Sequence, residues 1–341
     1  MLPTRNSPYQ GVLICSLVFM IILIYWRETT HTQRFDKAQE ALALLGADPS
    51  SPTLDRTSQT SIPKPNEDLI LFSFHETEGA AKNLKFFLKH ALYANADFIV
   101  IINGEHTQDL SALAELANVR VVERDNRCFD LGAYHEVLIA NTTLQVAYKR
   151  YMFINDSVRG PFFPPWAEKT CWSDAYWDKL DERTRLAGMS WNCANGIPYP
   201  PHLQSMVLAF TNETLAMLLP NMKCYESMLD AVMNGETKLA GMITESGYGV
   251  YAMEGRFAAH AGASGKNTTA FLEWCVDTPE TTGRGGNDIL YSGNYEGSTL
   301  HPYETIFVKT NRAWDEHDQK AIDLLTEHAE LTEYSSYDHC R

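Results

Sequence analysis

DLILFSFHETEGAAKNLKFFLKHALYANADFIVIING, Asp68 to Gly104, contains an apolar run of strand length, a segment with helical spacing and a second apolar run. Strands that are apolar along their whole length, instead of at every second residue, are covered on both faces. That is the condition of a parallel sheet. A strand, a helix and another strand in this order form a right-handed crossover unit.

The rhythm continues. DLSALAELA (109–117) predicts a second helix, VRVVERD (119–125) a third strand, LGAYHEVLIAN (131–141) a third helix and YMFIND (151–156) a fourth strand. The fold class is therefore α/β, a doubly wound and mostly parallel sheet with helices on both faces. In such sheets ligands bind beyond the carboxyl ends of the strands. Here those ends carry His75-Glu76, Asp125-Asn126 and Asp156. The second half is less regular. HLQSMVLAF (202–210) reads as a strand, TNETLAMLLP (211–220) as a capped helix, ETKLAGMITESG (236–247) as a helix ending at Gly247, and TIFVKT (305–310) as a last strand.

Several functions are disfavoured. HETEGAAKN after the first strand has one glycine, so the dinucleotide fingerprint is missing. There is neither a phosphate-binding Gly-x-x-x-x-Gly-Lys-Ser/Thr loop nor a Gly-x-Ser-x-Gly elbow. The formal net charge of -15 argues against nucleic acid as a partner.

The first residues are not globular in character. Residues 1–10 read as a short cytoplasmic tail. GVLICSLVFMIILIYW, residues 11–26, carries no charge. As a helix it would span about 24 Å, enough for a thin membrane, with Tyr25 and Trp26 at its boundary. We read it as an uncleaved signal anchor. A cleaved signal peptide is the alternative, opposed by bulky Tyr25-Trp26-Arg27 where a small-x-small site would lie. Residues 27–66, with the stretch SSPTLDRTSQTSIPKPNED, read as a flexible stem, residues 67–315 as the α/β domain and 316–341 as an acidic helix or tail. A short N-terminal tail and a large C-terminal domain favour a single-pass type II protein with a lumenal domain. Sequons at Asn141, Asn155, Asn212 and Asn267 agree with that, as do six cysteines outside the anchor. Those cysteines read equally well as disulfides or buried thiols.

Four stretches carry candidate chemistry. In ERDNRCFDLGAYHEVL, Asp130 suits a helix cap, whereas Asn126 and Arg127 suit a base or a phosphate. In YMFINDSVRGPF, Asp156 sits at a strand tip, where one carboxylate is enough for a magnesium or manganese ion on a diphosphate. The alternative there is a plain turn. In GETKLAGMITESGYGV, Glu236 suits either a helix N-terminus or a general base. In GSTLHPYETIFVKTNR, His301 suits a surface turn or a metal, and Lys309 and Arg312 suit phosphate.

Taken together, DNRCFDLGAY, YMFINDSVRGPF, PHLQSMVLAF, ETKLAGMITESGYGV and HPYETIFVKTNR resemble glycosyltransferases of the GT-A type, those related to bacterial rhamnan-synthesis transferases and their fungal and algal relatives. The resemblance covers Asp68 to Arg312. It implies a nucleotide-sugar donor and a glycan or glycoprotein acceptor. It also implies a divalent metal, Mn or Mg, at Asp156 with His301. Glu236 is implied as base and Asp130 as a contact to base or ribose. Asn126, Arg127, Arg159, Lys309 and Arg312 fall on the donor side, and Gln204 and Ser205 on the acceptor side. Anchor, stem and lumenal domain are the layout of Golgi or endoplasmic reticulum enzymes. Asn155-Asp156-Ser157 departs from the usual two-carboxylate motif. That departure motivates two rivals: an inactive sugar-binding or scaffold protein, and a hydrolase of phosphate esters. At a strand tip in a cleft, Asn155 is expected to carry no glycan.

Overall fold

The computed structural model describes residues 66–194, 199–277, 288–312 and 315–340. The expected tail, anchor and stem up to residue 65 lie outside these. Among the described residues, no helix is long and apolar enough to cross a membrane.

The chain begins as its opening stretch predicts. Strand β1 (Asp68–Phe74) leads to helix α1 (Glu78–His90), whose N-cap Thr77 accepts from Ala80 N, and then to β2 (Asp97–Asn103). Strand β3 (Val119–Arg124), helix α2 (Phe129–Ala140) and β4 (Arg150–Asn155) follow. These four strands pair in parallel in the order β3-β2-β1-β4. Next come β5 (Val158–Arg159), α3 (Trp172–Trp177), β6 (Thr184–Gly188), β7 (Trp191–Asn192), β8 (His202–Leu203) and β9 (Val207–Thr211). Helices α4 (Asn212–Leu218) and α5 (Thr237–Glu245) precede β10 (Gly249–Ala252). Strand β9 is antiparallel to both β4 and β6, and β10 runs parallel to β6. The sheet thus has seven strands, ordered β10-β6-β9-β4-β1-β2-β3.

Every residue of β1 and β2 is buried, and the pleat divides them between two cores. Ile70, Phe72, Phe98 and Val100 pack with Leu84 and Phe87 of α1 and with Trp172 and Tyr176 of α3. Leu69, Leu71, Ile99 and Ile101 pack with Tyr134 and Leu138 of α2 and with Leu239 and Ile243 of α5. Each large side chain so buried stabilises the fold by about 1.5–3 kcal/mol before entropy is counted.

Four elements differ from their expected form. DLSALAELA forms a five-residue 3-10 turn, Ser111–Glu115, not an α-helix. Leu113 is buried with Leu110 and Leu116 packed beside it, while Ala112 and Ala114 are exposed; that spacing of three is the 3-10 period. HLQSMVLAF is two strands, because Ser205 N is drawn to the Glu236 carboxylate and Gln204 to Ser190 and Asp288. TIFVKT contributes only β11 (Val308–Lys309), paired with β5 outside the main sheet, because Ile306 has a left-handed φ of 66°. Glu236 is not at a helix start. Helical structure begins at Met228, capped by Ser227, and runs through a π-turn, Ala231–Glu236, into α5.

The acidic C-terminal segment is part of this domain. Its helix Glu316–Thr332 places Thr326 on Arg159 and Glu330 on Lys89. All six cysteines among the described residues are paired: Cys128–Cys224, Cys171–Cys340 and Cys193–Cys275. The second closes 169 residues of chain and ties the C-terminus to the start of α3. Replacing Cys340 by Ser is expected to lower unfolding stability by about 2–4 kcal/mol. Guanidinium unfolding under non-reducing conditions measures this, and a midpoint equal to the parent's would show that the cross-link is not closed.

Candidate functional site

The carboxyl ends of β1, β2 and β4 lie at one level, because Ser73 is in register with both Ile101 and Asn155. Just beyond β4, the backbone N–H of His75 donates to Asp156 Oδ2 at 2.6 Å. No donor among the described residues reaches Asp156 Oδ1. Asn83 Nδ2 donates to the Asp156 carbonyl at 2.8 Å and to Thr310 Oγ1 at 2.9 Å, so α1 and the C-terminal loop grip the same turn.

Asn155 uses both ends of its amide. Nδ2 donates to Asp130 Oδ2 at 2.6 Å, and Oδ1 accepts from Ser157 Oγ at 2.6 Å. Asp130 lies in the first turn of α2, while the cap position belongs to Cys128, whose backbone is left-handed. Phe129 is left-handed as well, with φ 58°. Two such residues in succession throw Asp130 inward, and three anchors hold the turn. They are the Cys128–Cys224 disulfide, the Arg124–Glu136 ion pair at 2.6 Å and the bond from Arg124 to the Arg127 carbonyl at 3.0 Å.

The opposite wall comes from the second half of the chain. Glu236 Oε1 accepts from Ser205 N at 2.7 Å and from Ser205 Oγ at 2.9 Å. Lys309 Nζ lies 3.2 Å from Ser157 Oγ. Gln204 Nε2 donates to Asp288 Oδ1 at 3.1 Å, and Arg312 Nε lies 3.7 Å from Asp288 Oδ2 with its guanidinium over the Tyr291 ring. His301, Lys309 and Arg312 line a cavity of about 180 Å³ with Met189, Phe307 and Ile322.

Charge is concentrated here. Burial pushes the Asp156 carboxyl up to about 6, against the His75 N–H, and the neighbouring Asp130 charge adds to the rise. Burial also raises Asp130, and the Glu236 charge adds to it. Burial lowers Lys309, helped by Arg312 and opposed by Glu236, Asp288 and Asp130. A raised carboxyl favours the fold at pH values below its unfolded pKa and loses that contribution as pH rises through its folded value. Asp156→Asn is therefore expected to raise stability at pH 7.5 by about 1–2 kcal/mol, with the gain shrinking toward pH 4. Melting curves across that range measure it; a gain independent of pH would assign the effect to something other than this carboxyl.

The donor set suits a hard divalent cation. It offers carboxylate and amide oxygens, an Asp156 Oδ1 that no donor among the described residues reaches, and a surplus of negative charge that a cation would relieve. Among the described residues, the one set of three metal-type side chains within mutual reach is Cys128, Glu136 and Cys224, and its sulfurs are already in a disulfide.

The expected residues are unequally placed. Asp130, Asp156, Glu236 and Lys309 interact, with Ser205 and Asp288 in the adjoining shell. Arg159 turns away: its Nε donates to Asn83 Oδ1 at 3.0 Å and its Nη1 to Thr326 Oγ1 at 3.1 Å. Arg127 is exposed and pairs with Glu136. His301 caps the turn Pro302–Thr305, its Nδ1 accepting from Tyr303 N at 3.2 Å. A neutral ring in that pose carries its proton on Nε2, so metal ligation through Nε2 requires giving up the cap bond. Two participants were not read from the sequence. His75 had only its place at a strand end as a signal. Asp288 sits in a glycine-rich stretch with no pattern to mark it.

Asn141, Asn212 and Asn267 are exposed, whereas Asn155 is half-buried with its Nδ2 engaged. Glycan mapping by mass spectrometry is expected to find Asn155 bare; a glycan there would break the Asn155–Asp130 contact.

No protein-family profile matches the sequence, and no curated protein does. Some solved structures show partial similarity. A mannosyltransferase from Pyrobaculum calidifontis, in complex with GDP-Man and Mn2+, is similar at TM-score 0.38 and 12% identity over 55% of this chain and 54% of its own. The chain thus spans about half the length of that protein. The glycosyltransferase GlyE of Streptococcus pneumoniae matches at TM-score 0.36 and 9% identity, over 80% of this chain and 66% of its own. A cytidylyltransferase from Leptospira borgpetersenii matches at 0.30 and 12%, over 55% and 76%. Likeness at this level carries no inference.

Proposed function

We propose that this chain is a glycosyltransferase that moves a sugar from a nucleotide-sugar donor to a glycan or glycoprotein hydroxyl. We read it as the lumenal domain of a type II membrane protein of the Golgi or endoplasmic reticulum. The observation that carries the activity is the convergence of Asp130, Asp156, Glu236 and Lys309 beyond the strand ends, from opposite halves of the chain. The three disulfides support an oxidising compartment.

In this reading Asp156 is the residue that would hold a divalent metal, Mn or Mg. When bound, that metal would neutralise charge on a diphosphate leaving group. Lys309, beside Asp156 at Ser157, and Arg312 supply positive charge. Asp130, steadied by Asn155, faces the base or ribose. Glu236 acts as general base: Ser205 occupies Oε1 with two donors, which leaves Oε2 to take the acceptor proton. Burial and the neighbouring carboxylates make this site a poor host for a second anion unless a cation accompanies it.

The contact of Lys309 with Ser157 favours a second reading, in which its ammonium serves the diphosphate without a metal. Radiolabelled nucleotide sugars with manganese separate the possibilities. Asp156→Ala and Glu236→Gln are each expected to reduce transfer at least about 100-fold. Turnover equal to the parent's would discard the site. Transfer that survives EDTA but not Lys309→Met would select the metal-free version. Donor binding without transfer to any acceptor would select an inactive sugar-binding protein, and sugar-independent release of phosphate a hydrolase.

A further inference from the structure

The ring of His75 has a place that the proposed chemistry does not use. It lies just past β1, between the exits of β2 and β3. Nδ1 is 3.0 Å from the Asn103 carbonyl oxygen, and Nε2 is 3.3 Å from Asn126 Nδ2. A carbonyl oxygen can only accept, so Nδ1 carries the proton. In the neutral ring Nε2 then holds the lone pair and accepts from Asn126. That requirement decides which way the Asn126 amide faces: one N–H goes to His75, and Oδ1 and the second N–H are left to a ligand. Beneath Asn126 is Gly104, with φ 88°, where an added Cβ would lie 3.0 Å from Asn126 Cβ. Any larger residue there would press on the asparagine. The backbone N–H of the same histidine holds Asp156 Oδ2 at 2.6 Å. One residue therefore touches the expected nucleoside side and the expected diphosphate side through separate groups.

We infer that His75 is a positioning residue for the nucleoside of a nucleoside-diphosphate donor. Its ring presents the Asn126 amide as a paired acceptor and donor for a polar base or ribose edge, while its backbone holds Asp156. The inference rests on the transferase reading and adds to it a residue, a tautomer and a direction. Because the N–H to Asp156 survives side-chain substitution, the two roles separate in experiment.

The test is calorimetry on the full chain with Mn2+, titrating UDP, GDP, CDP and ADP, with inorganic pyrophosphate as the probe of the phosphate end. His75→Ala and Asn126→Ala are each expected to weaken the best nucleoside diphosphate about five- to tenfold. Pyrophosphate binding should be unchanged, and the double substitution no weaker than either single one. His75→Gln should recover part of the loss, since its amide can donate and accept. Parent-like affinity in His75→Ala, additive losses in the double variant, or an equal loss of pyrophosphate would each overturn the inference while leaving the transferase reading standing. Failure of the unaltered chain to bind any of the four nucleotides would overturn the transferase reading and this inference with it. If His75→Ala does not fold, the Asn126→Ala and His75→Gln variants give the same comparison.

Discussion

The level register of β2, β1 and β4 is the constraint on which the site depends. Parallel pairing brings Phe74, Asn103 and Asn155 to a common edge, so that the residues just beyond them are neighbours despite wide separation in sequence. A one-residue slip of β4 would reverse its faces. Tyr151 and Phe153 would leave one core, Met152 and Ile154 the other, and Asp156 would no longer meet the N–H of His75. Apolar packing on both sheet faces thus fixes the position of a carboxylate at the sheet's edge.

The site is held against its own electrostatics. Asp130 and Asp156 are both pushed toward the neutral form by burial and by neighbouring carboxylates. Covalent and hydrogen-bonded restraints keep them together. The Cys128–Cys224 bridge links the turn carrying Asp130 to the segment leading to Glu236, and Ser205 fixes Glu236 with backbone and hydroxyl. Stability is given up at the place where a cationic ligand would recover it.

Apolar runs and helical spacing located β1, α1, β2, β3, α2 and β4 because those signals are local. Where the sequence misled, tertiary contact had overridden the local pattern. The leucines at 110, 113 and 116 keep a spacing of three that fits a 3-10 turn as well as a helix. HLQSMVLAF looks continuous as a strand only if the demand of Glu236 for the Ser205 N–H is unknown. Arg159, next to the motif in sequence, points instead to Asn83 and Thr326 from distant elements.

The sequence by itself determined the α/β class, the mostly parallel order of the first four strands and the carboxyl edge as the place for ligands. Hydrophobic periodicity and strand length are properties of short windows, so they are legible without a structure. Only the tertiary structure decided that β9 runs antiparallel between β4 and β6, that all six cysteines among the described residues pair, and that Asp288 and His75 join the site. It also decided the tautomer of His75 and the surroundings that raise Asp156. Those outcomes depend on groups brought together across tens to hundreds of residues, and no local pattern encodes which of the available donors and charges will meet.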